Sequence, residues 1–315
     1  MSPQLVFGTG VVGMDGMEFQ TSDSVTKLLQ NLQELGITHL DTAARYPPQK
    51  PGKSEQLLGE ALKDKSTDSF VIDTKVYTEV GDGSGDLART TMAKSVESSL
   101  QRLQRPAVNV LFAHRPDPAT PLEEQIQGFV GHVAQGHVKA WGVANHPPET
   151  LQKILDLCEG NGWKKPSWYQ GTYNVLTRGL ETRVLPILRA HGMSYLASHA
   201  LASGFLTGEH IDAQGNPIGR FATSSFANSP EVASAMKAFV TGCTEQGVLP
   251  VEVASRWLAH HSPLNDRDGI VLGASKLAQV GDTVANIRKG PLTPPVVKLV
   301  DELWGSVKSI RGSMI

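Results

Sequence analysis

A (β/α)8 TIM barrel is the fold class predicted for this chain of 315 residues, and three observations predict it. Short β-branched runs alternate with longer segments of helical periodicity, the rhythm of a parallel sheet with crossover helices. Eight such runs occur, enough to close a barrel. No low-complexity stretch or linker divides residues 1–315, so a single domain is expected, and barrels of this length are ordinary.

The first run, residues 5–7, leads into GTGVVGMDG. That segment reads as a tight turn after a strand and not as a dinucleotide fingerprint. Leu28, Leu29, Leu32 and Leu35 then share one helical face, with Ser22 or Asp23 as cap and Gly36 as stop. Strands follow at residues 38–40 and 70–74, and Met92, Val96, Leu100 and Leu103 form the next apolar stripe. After the strand at 108–113, Thr120-Pro121-Leu122-Glu123 reads as a capping box with proline at the first helical position. The strand at 138–143 precedes a helix whose Leu151, Ile154, Leu155 and Cys158 face the core. Strands at 168–170 and 194–197 lead to residues 204–230, rich in Gly, Ser, Ala and Asn and without periodicity, which reads as a long functional or mobile loop. Pro250 opens a helix with Val253, Ala254, Trp257 and Leu258 inward, the last strand spans 270–272, and the tail after Pro294 is one more helix bearing Val297, Val300 and Trp304. All these stripes are read as barrel-facing sides of helices.

Composition sets outer bounds. Hydrophobic residues make up 40% and charged residues 19%, the profile of an ordinary globular protein. A net charge of −2 and a pI near 6.6 give no broad electrostatic reason to expect nucleic acid or an anionic membrane as partner. The pair Lys164-Lys165 reads as a solvated loop. With only Cys158 and Cys243, neither a disulfide framework nor a cysteine metal site is expected, which suits a reducing compartment. The start MSPQLVFGTG lacks the pattern of a signal peptide, and no apolar run reaches bilayer-spanning length. The expectation is a soluble, cytoplasmic protein without a metal.

Reactive residues of such barrels gather where strands end. Those ends supply Asp41 and nearby Tyr46, then Lys75, then His114. Each has an ordinary reading alone: Asp41 as a loop cap, Lys75 as a solvated charge, His114 as a satisfied core histidine. Four polar residues from consecutive strands on one rim make the ordinary readings poor together. Reduction of a carbonyl by a nicotinamide hydride leaves an alkoxide that needs a proton. A tyrosine near pKa 10 is a weak acid at neutral pH, and a neighbouring ammonium lowers that value. Lys75 would do so, Asp41 would hold Lys75, His114 would donate to the carbonyl oxygen, and Tyr46 would deliver the proton.

GITHLDTAARY, GKSEQLLGEAL, IDTK and SLQRLQRPAVNVLFAHRPDPATPLEE occur in the order and spacing of the aldo-keto reductase superfamily. The chain resembles that superfamily from FGTGVVGM to about Asn286, and most of all its aflatoxin-aldehyde (succinic semialdehyde) reductase group. The resemblance implies an NADPH-dependent aldehyde or ketone reductase and a small-molecule carbonyl substrate, and it leaves monomer and homodimer both open. It places the family's catalytic residues on Asp41, Tyr46, Lys75 and His114. Asn145 of GVANH would bind the nicotinamide carboxamide, with Gln170 of YQGTYN beside it and Asp41 contributing. The segment SHALASGFLTG puts Ser198 where an aromatic ring normally stacks, leaving His199, Leu201 and Gly204 as contacts and His199 as a substitute ring. GIVLGASKLAQVGDTVANI matches the adenosine 2′-phosphate segment, with Gly273, Ser275, Lys276 and Gln279 at the phosphate and Asp282 toward the adenine. Arg220 would clamp cofactor or an anionic substrate.

Two other classes compete. A Schiff-base aldolase would use Lys75 as nucleophile, but it leaves Asn145 and the final block unexplained. A cofactor-binding regulatory barrel with slow turnover would keep the same residues, and turnover of a simple aldehyde separates it from the reductase. Arg115, where relatives of this group carry an apolar residue, and the dissimilar tail SVKSIRGSMI leave the particular carbonyl substrate open.

Overall fold

The computed structural model describes residues 2–64, 69–79, 81–212, 218 and 229–314. Eight strands form a closed barrel in chain order: β1 (Gln4–Gly8), β2 (His39–Asp41), β3 (Val71–Lys75), β4 (Val108–Ala113), β5 (Val138–Ala144), β6 (Trp168–Thr172), β7 (Ser194–Ser198) and β8 (Gly269–Leu272). Every neighbouring pair is parallel, including β8 with β1. Each expected strand is present, with ends displaced by at most two residues. Asp41 and Lys75 are thus the last residues of β2 and β3, where the sequence reading set them just beyond.

Helices fill the crossovers: α1 (Ser22–Glu34), α2 (Lys53–Ala61), α3 (Arg89–Leu103), α4 (Leu122–Ala134), α5 (Pro148–Asn161), α6 (Leu180–Arg183) and α7 (Leu185–Ala190). A 3-10 helix (Ala202–Thr207) follows β7, then α8 (Pro230–Glu245), α9 (Pro250–His260), α10 (Leu277–Arg288) and α11 (Pro294–Arg311). The long segment after β7 therefore begins as a 3-10 turn; residues 213–217 and 219–228, including Arg220, lie outside the described residues. Helix α8 was not anticipated, though Val232, Met236, Phe239 and Cys243 do recur at helical spacing and are buried. No described helix is long and apolar enough to cross a membrane, and both cysteines are buried and free.

Period-two alternation separates two cores. Val6, Val110, Phe112 and Leu196 pack together, joined by Ala140, Trp168 and Val271. They come from strands on opposite sides of the barrel, so this cluster is the plug in its interior. Their neighbours Phe7, Leu111, Ala113 and Ala197 join the large cluster between strands and helices. Gly142 has to be glycine: a Cβ there would sit 2.7 Å from the Phe112 ring. The predicted stripes face inward, with Leu35, Leu100, Val297 and Trp304 only partly covered.

Two caps differ from expectation. Thr21, not Ser22 or Asp23, caps α1, accepting from the Ser24 amide at 3.2 Å while Ser24 accepts from the Thr21 amide at 3.1 Å. At α4, Pro121 is the cap residue and no capping box forms. The Thr120 hydroxyl donates instead to Asp117 at 2.7 Å. Asp117 already accepts from the amides of Gly85, Leu87 and Ala119, and its charged carboxylate orients the Thr120 hydroxyl toward itself and away from the start of the helix.

Asp268, fully buried at the entry to β8, ties three elements. It accepts from both terminal nitrogens of Arg189 and from the amides of Tyr195 and Asn265, both at 2.8 Å. Asp268→Asn turns one acceptor into a donor facing donors. The urea midpoint should fall by the equivalent of about 2–3 kcal/mol; an unchanged midpoint would mean that the knot contributes nothing.

Candidate active site

β2 and β3 pair with Asp41 opposite Asp73. Lys75, two residues on, points to the same face as Asp73 and reaches back over the end of β2. Its ammonium donates to both Asp41 carboxylate oxygens at 2.7 Å and to the Thr42 carbonyl at 2.9 Å. Three donors meet three acceptors. Lys75 is 1% exposed and Asp41 3%. Gln170, from the far side of the barrel, donates to Asp41 Oδ1 at 2.8 Å. Burial acts against the Lys75 ammonium, but Asp41, Tyr46 and Asp73 together outweigh it and raise its pKa. Lys75 is a held cation.

Tyr46 lies in the β2–α2 loop with its ring centroid 5.1 Å from the Lys75 nitrogen. Its edge meets His114, with centroids 5.6 Å apart and planes at 83°. The expected lowering of its pKa does not hold for the protein without bound ligands. Burial raises it, Lys75 lowers it, Asp41 raises it again, and the net direction is up. Lys75 acts in the anticipated sense but does not overcome desolvation.

His114 follows β4. Its Nδ1 is buried with no hydrogen-bond partner. Burial, then the charges of Lys75, Arg115 and Arg45, push its pKa down to about 3. The ring is neutral at physiological pH and keeps one N–H to donate. Asn145, at the end of β5 with φ of 59°, donates from its side chain to the His114 carbonyl at 3.0 Å. Its own amide bonds the Gln170 carbonyl at 3.0 Å. Asp41, Tyr46, Lys75, His114, Asn145 and Gln170 thus meet on one rim. The link from Gln170 to Asp41 was not foreseen: it crosses 129 residues, and no local pattern encodes it.

Farther around the rim, His199 sits at φ of 53°, with Nδ1 3.3 Å from the Ser198 hydroxyl and 3.4 Å from that of Thr172. Leu201 and Gly204 enter the 3-10 helix, Gly204 with φ of 98°. Arg115 turns away from the cleft: it donates to the carbonyls of Glu79 and Gly81 and pairs with Asp86. Arg45 likewise donates to the Thr78 carbonyl. Both brace the β3–α3 loop, a task their positions in the sequence did not disclose.

A second group stands where β8 passes into α10. Gln279 Oε1 accepts from the Ser275 amide at 2.9 Å, the Ser275 hydroxyl at 3.0 Å and the Lys276 amide at 3.1 Å. Ser275 and Gln279 thus bond each other and cap the helix. Gly273, Lys276 and Asp282 are exposed. Glu18, from the β1–α1 loop, was missed: its carboxylate accepts from the Leu277 amide at 2.9 Å. Among the described residues no group of three or more His, Cys, Asp or Glu is placed to hold a metal.

The model of the aldo/keto reductase family matches residues 4–305. The chain is 33% identical to mouse aflatoxin B1 aldehyde reductase member 2 over 98% of its own length and 86% of that protein. It is also 33% identical to human aldo-keto reductase family 7 member A3, over 96% of this chain and 94% of that one. Among solved structures it resembles aldo-keto reductase AKR11C1 from Bacillus halodurans in its holo form, with a TM-score of 0.73, 22% identity and coverage of 95% and 91%.

The buried imidazoles set a pH dependence. His114 is held down to about 3 and His146, bonded to the Ala144 carbonyl, to about 4. An unfolded histidine titrates near 6.5. The unfolded chain therefore binds more protons between these values, and stability falls as pH drops below 6.5. His39, whose pKa is raised by its Asp73 partner despite burial, acts in the opposite sense and only partly offsets this. The melting temperature should decline from pH 6.5 to 5, and the His114 ring resonances should not titrate there; a His114 midpoint near 6.5 would contradict the burial.

Proposed function

The chain belongs to the aldo/keto reductase family, and we propose that it reduces an aldehyde or ketone to an alcohol with NADPH, Tyr46 giving the proton. The observation that carries this reading is the buried Asp41–Lys75 pair beneath Tyr46 and His114. The relatives' names point the same way, since one is called an aldehyde reductase.

The donor set fits a nicotinamide dinucleotide. Asn145 and Gln170 offer amides suited to a carboxamide, and the start of α10 has an exposed ammonium on Lys276 beside a hydroxyl and amides, now bonded by Gln279 and Glu18, that would suit a phosphate. Bound there, the cofactor supplies the hydride. The chain's own groups do the rest. His114, neutral, donates to the carbonyl oxygen without competing to protonate it. Lys75 places positive charge beside the Tyr46 phenol, favouring loss of its proton as the alkoxide forms. Asp41, fixed by Lys75 and Gln170, holds that charge in place. A substrate that displaces water from the cleft strengthens each of these terms.

The aldolase reading loses ground on geometry. Schiff-base chemistry needs a neutral lysine, whereas Lys75 is an ammonium with all three protons donated.

Tyr46→Phe removes the acidic hydroxyl and keeps the ring. Turnover of a simple aldehyde should fall by about 10²–10⁴-fold with NADPH affinity little changed. Activity within about threefold of the native enzyme would take Tyr46 out of this role.

Lys276→Ala should weaken NADPH by about ten- to a hundredfold, the worth of one charge-assisted contact, and leave NADH nearly unchanged. Fluorescence titration of both cofactors, with Arg220→Ala alongside, checks this. If neither variant alters the ratio of the two affinities, the 2′-phosphate is held elsewhere.

A further inference from the structure

The start of α10 already holds an anion. Glu18 accepts from the amide of Leu277, the first residue of the helix, at 2.9 Å. Two features keep it there. Its own amide donates to the Ser275 carbonyl at 3.1 Å, so the two loops are joined through the backbone. The next residue, Phe19, is 1% exposed and packs in the core, anchoring the chain at that point. The neighbouring amides of Ser275 and Lys276 are taken by Gln279, a neutral acceptor. Glu18 thus sets a full negative charge, itself exposed, beside the donors that a phosphate would use.

We propose that Glu18 sets the cofactor preference of this enzyme by opposing the 2′-phosphate of NADPH at the start of α10. This inference rests on the NADPH reading above. A phosphate arriving near Ser275 and Lys276 meets the Glu18 carboxylate at close range, where like charges repel even in partly solvated surroundings. It must either tolerate that charge or displace it from the Leu277 amide. NADH carries only a hydroxyl at the same position and meets neither penalty. Lys276 attracts and Glu18 repels, so the discrimination is the difference between them.

The test is a charge series at one exposed position: native Glu18, Glu18→Gln and Glu18→Lys. The Glu18→Gln side chain keeps an acceptor of equal length for the Leu277 amide, so loss of the cap and loss of charge are separated. Calorimetric titration with NADPH, NADH and adenosine 2′-monophosphate reads binding without turnover. From native protein to Glu18→Gln, the dissociation constants of NADPH and adenosine 2′-monophosphate should fall about tenfold, equivalent to about 1.4 kcal/mol. They should fall further in Glu18→Lys, with NADH constant within about twofold throughout. Cofactors that bind all three proteins with an unchanged NADPH-to-NADH ratio would overturn the role of Glu18 and leave the NADPH reading standing. Failure of both cofactors to bind any of the three would overturn the NADPH reading itself, and this inference with it.

Discussion

An ammonium buried at 1% exposure is the constraint around which the rim is arranged. Removing two charges from water costs several kcal/mol for each ion, and mutual attraction repays that only when every remaining hydrogen-bonding site is filled. Here all three ammonium protons are used and both carboxylate oxygens are bonded. Lys75 spends its protons on Asp41 and on the Thr42 carbonyl, and Asp41 takes a further bond from Gln170 across the barrel. Because the partners come from β2, β3 and β6, the charge can stay buried only while these strands keep their register. The pair is therefore a lock on barrel closure as well as a chemical group.

Its field reaches outward. Lys75 contributes to the low pKa of His114 and acts on Tyr46 against the effect of burial. The same electrostatics extend down the barrel, where Asp73 accepts from His39 at 2.7 Å, from the Asn109 side chain at 2.8 Å and from the Val110 amide at 3.1 Å. Titratable groups here are stacked at successive levels, and each layer is held by neighbours on adjacent strands. On the loops above, Arg45 and Arg115 are committed to backbone carbonyls, and from there their charges still act on His114.

Much of this was legible in the sequence, for definite reasons. The eight strands and the main stripes follow from periodicity, which burial enforces at every turn. The four rim residues follow from strand ends, because a parallel barrel places all its C-terminal ends on one side. What escaped were events set by distant partners. Asp117 drew Thr120 away from the expected helix cap, since five donors converge on its carboxylate, two of them 32 and 30 residues back in the chain. Desolvation, which depends on the packed surroundings, reversed the expected direction for Tyr46. The contact of Glu18 with Leu277 spans 259 residues, so only the closed ring brings the two together.

The plug of Val6, Val110, Phe112 and Leu196 reaches up to the buried charge. The Phe112 ring centroid lies 5.9 Å from the Lys75 nitrogen, so an apolar face lies against the ammonium while Asp41 and the Thr42 carbonyl take its protons. Shortening Phe112 would leave space for water beside the ammonium and so offer it acceptors other than Asp41. The packing of the plug thereby protects the chemistry of a residue that it does not bond.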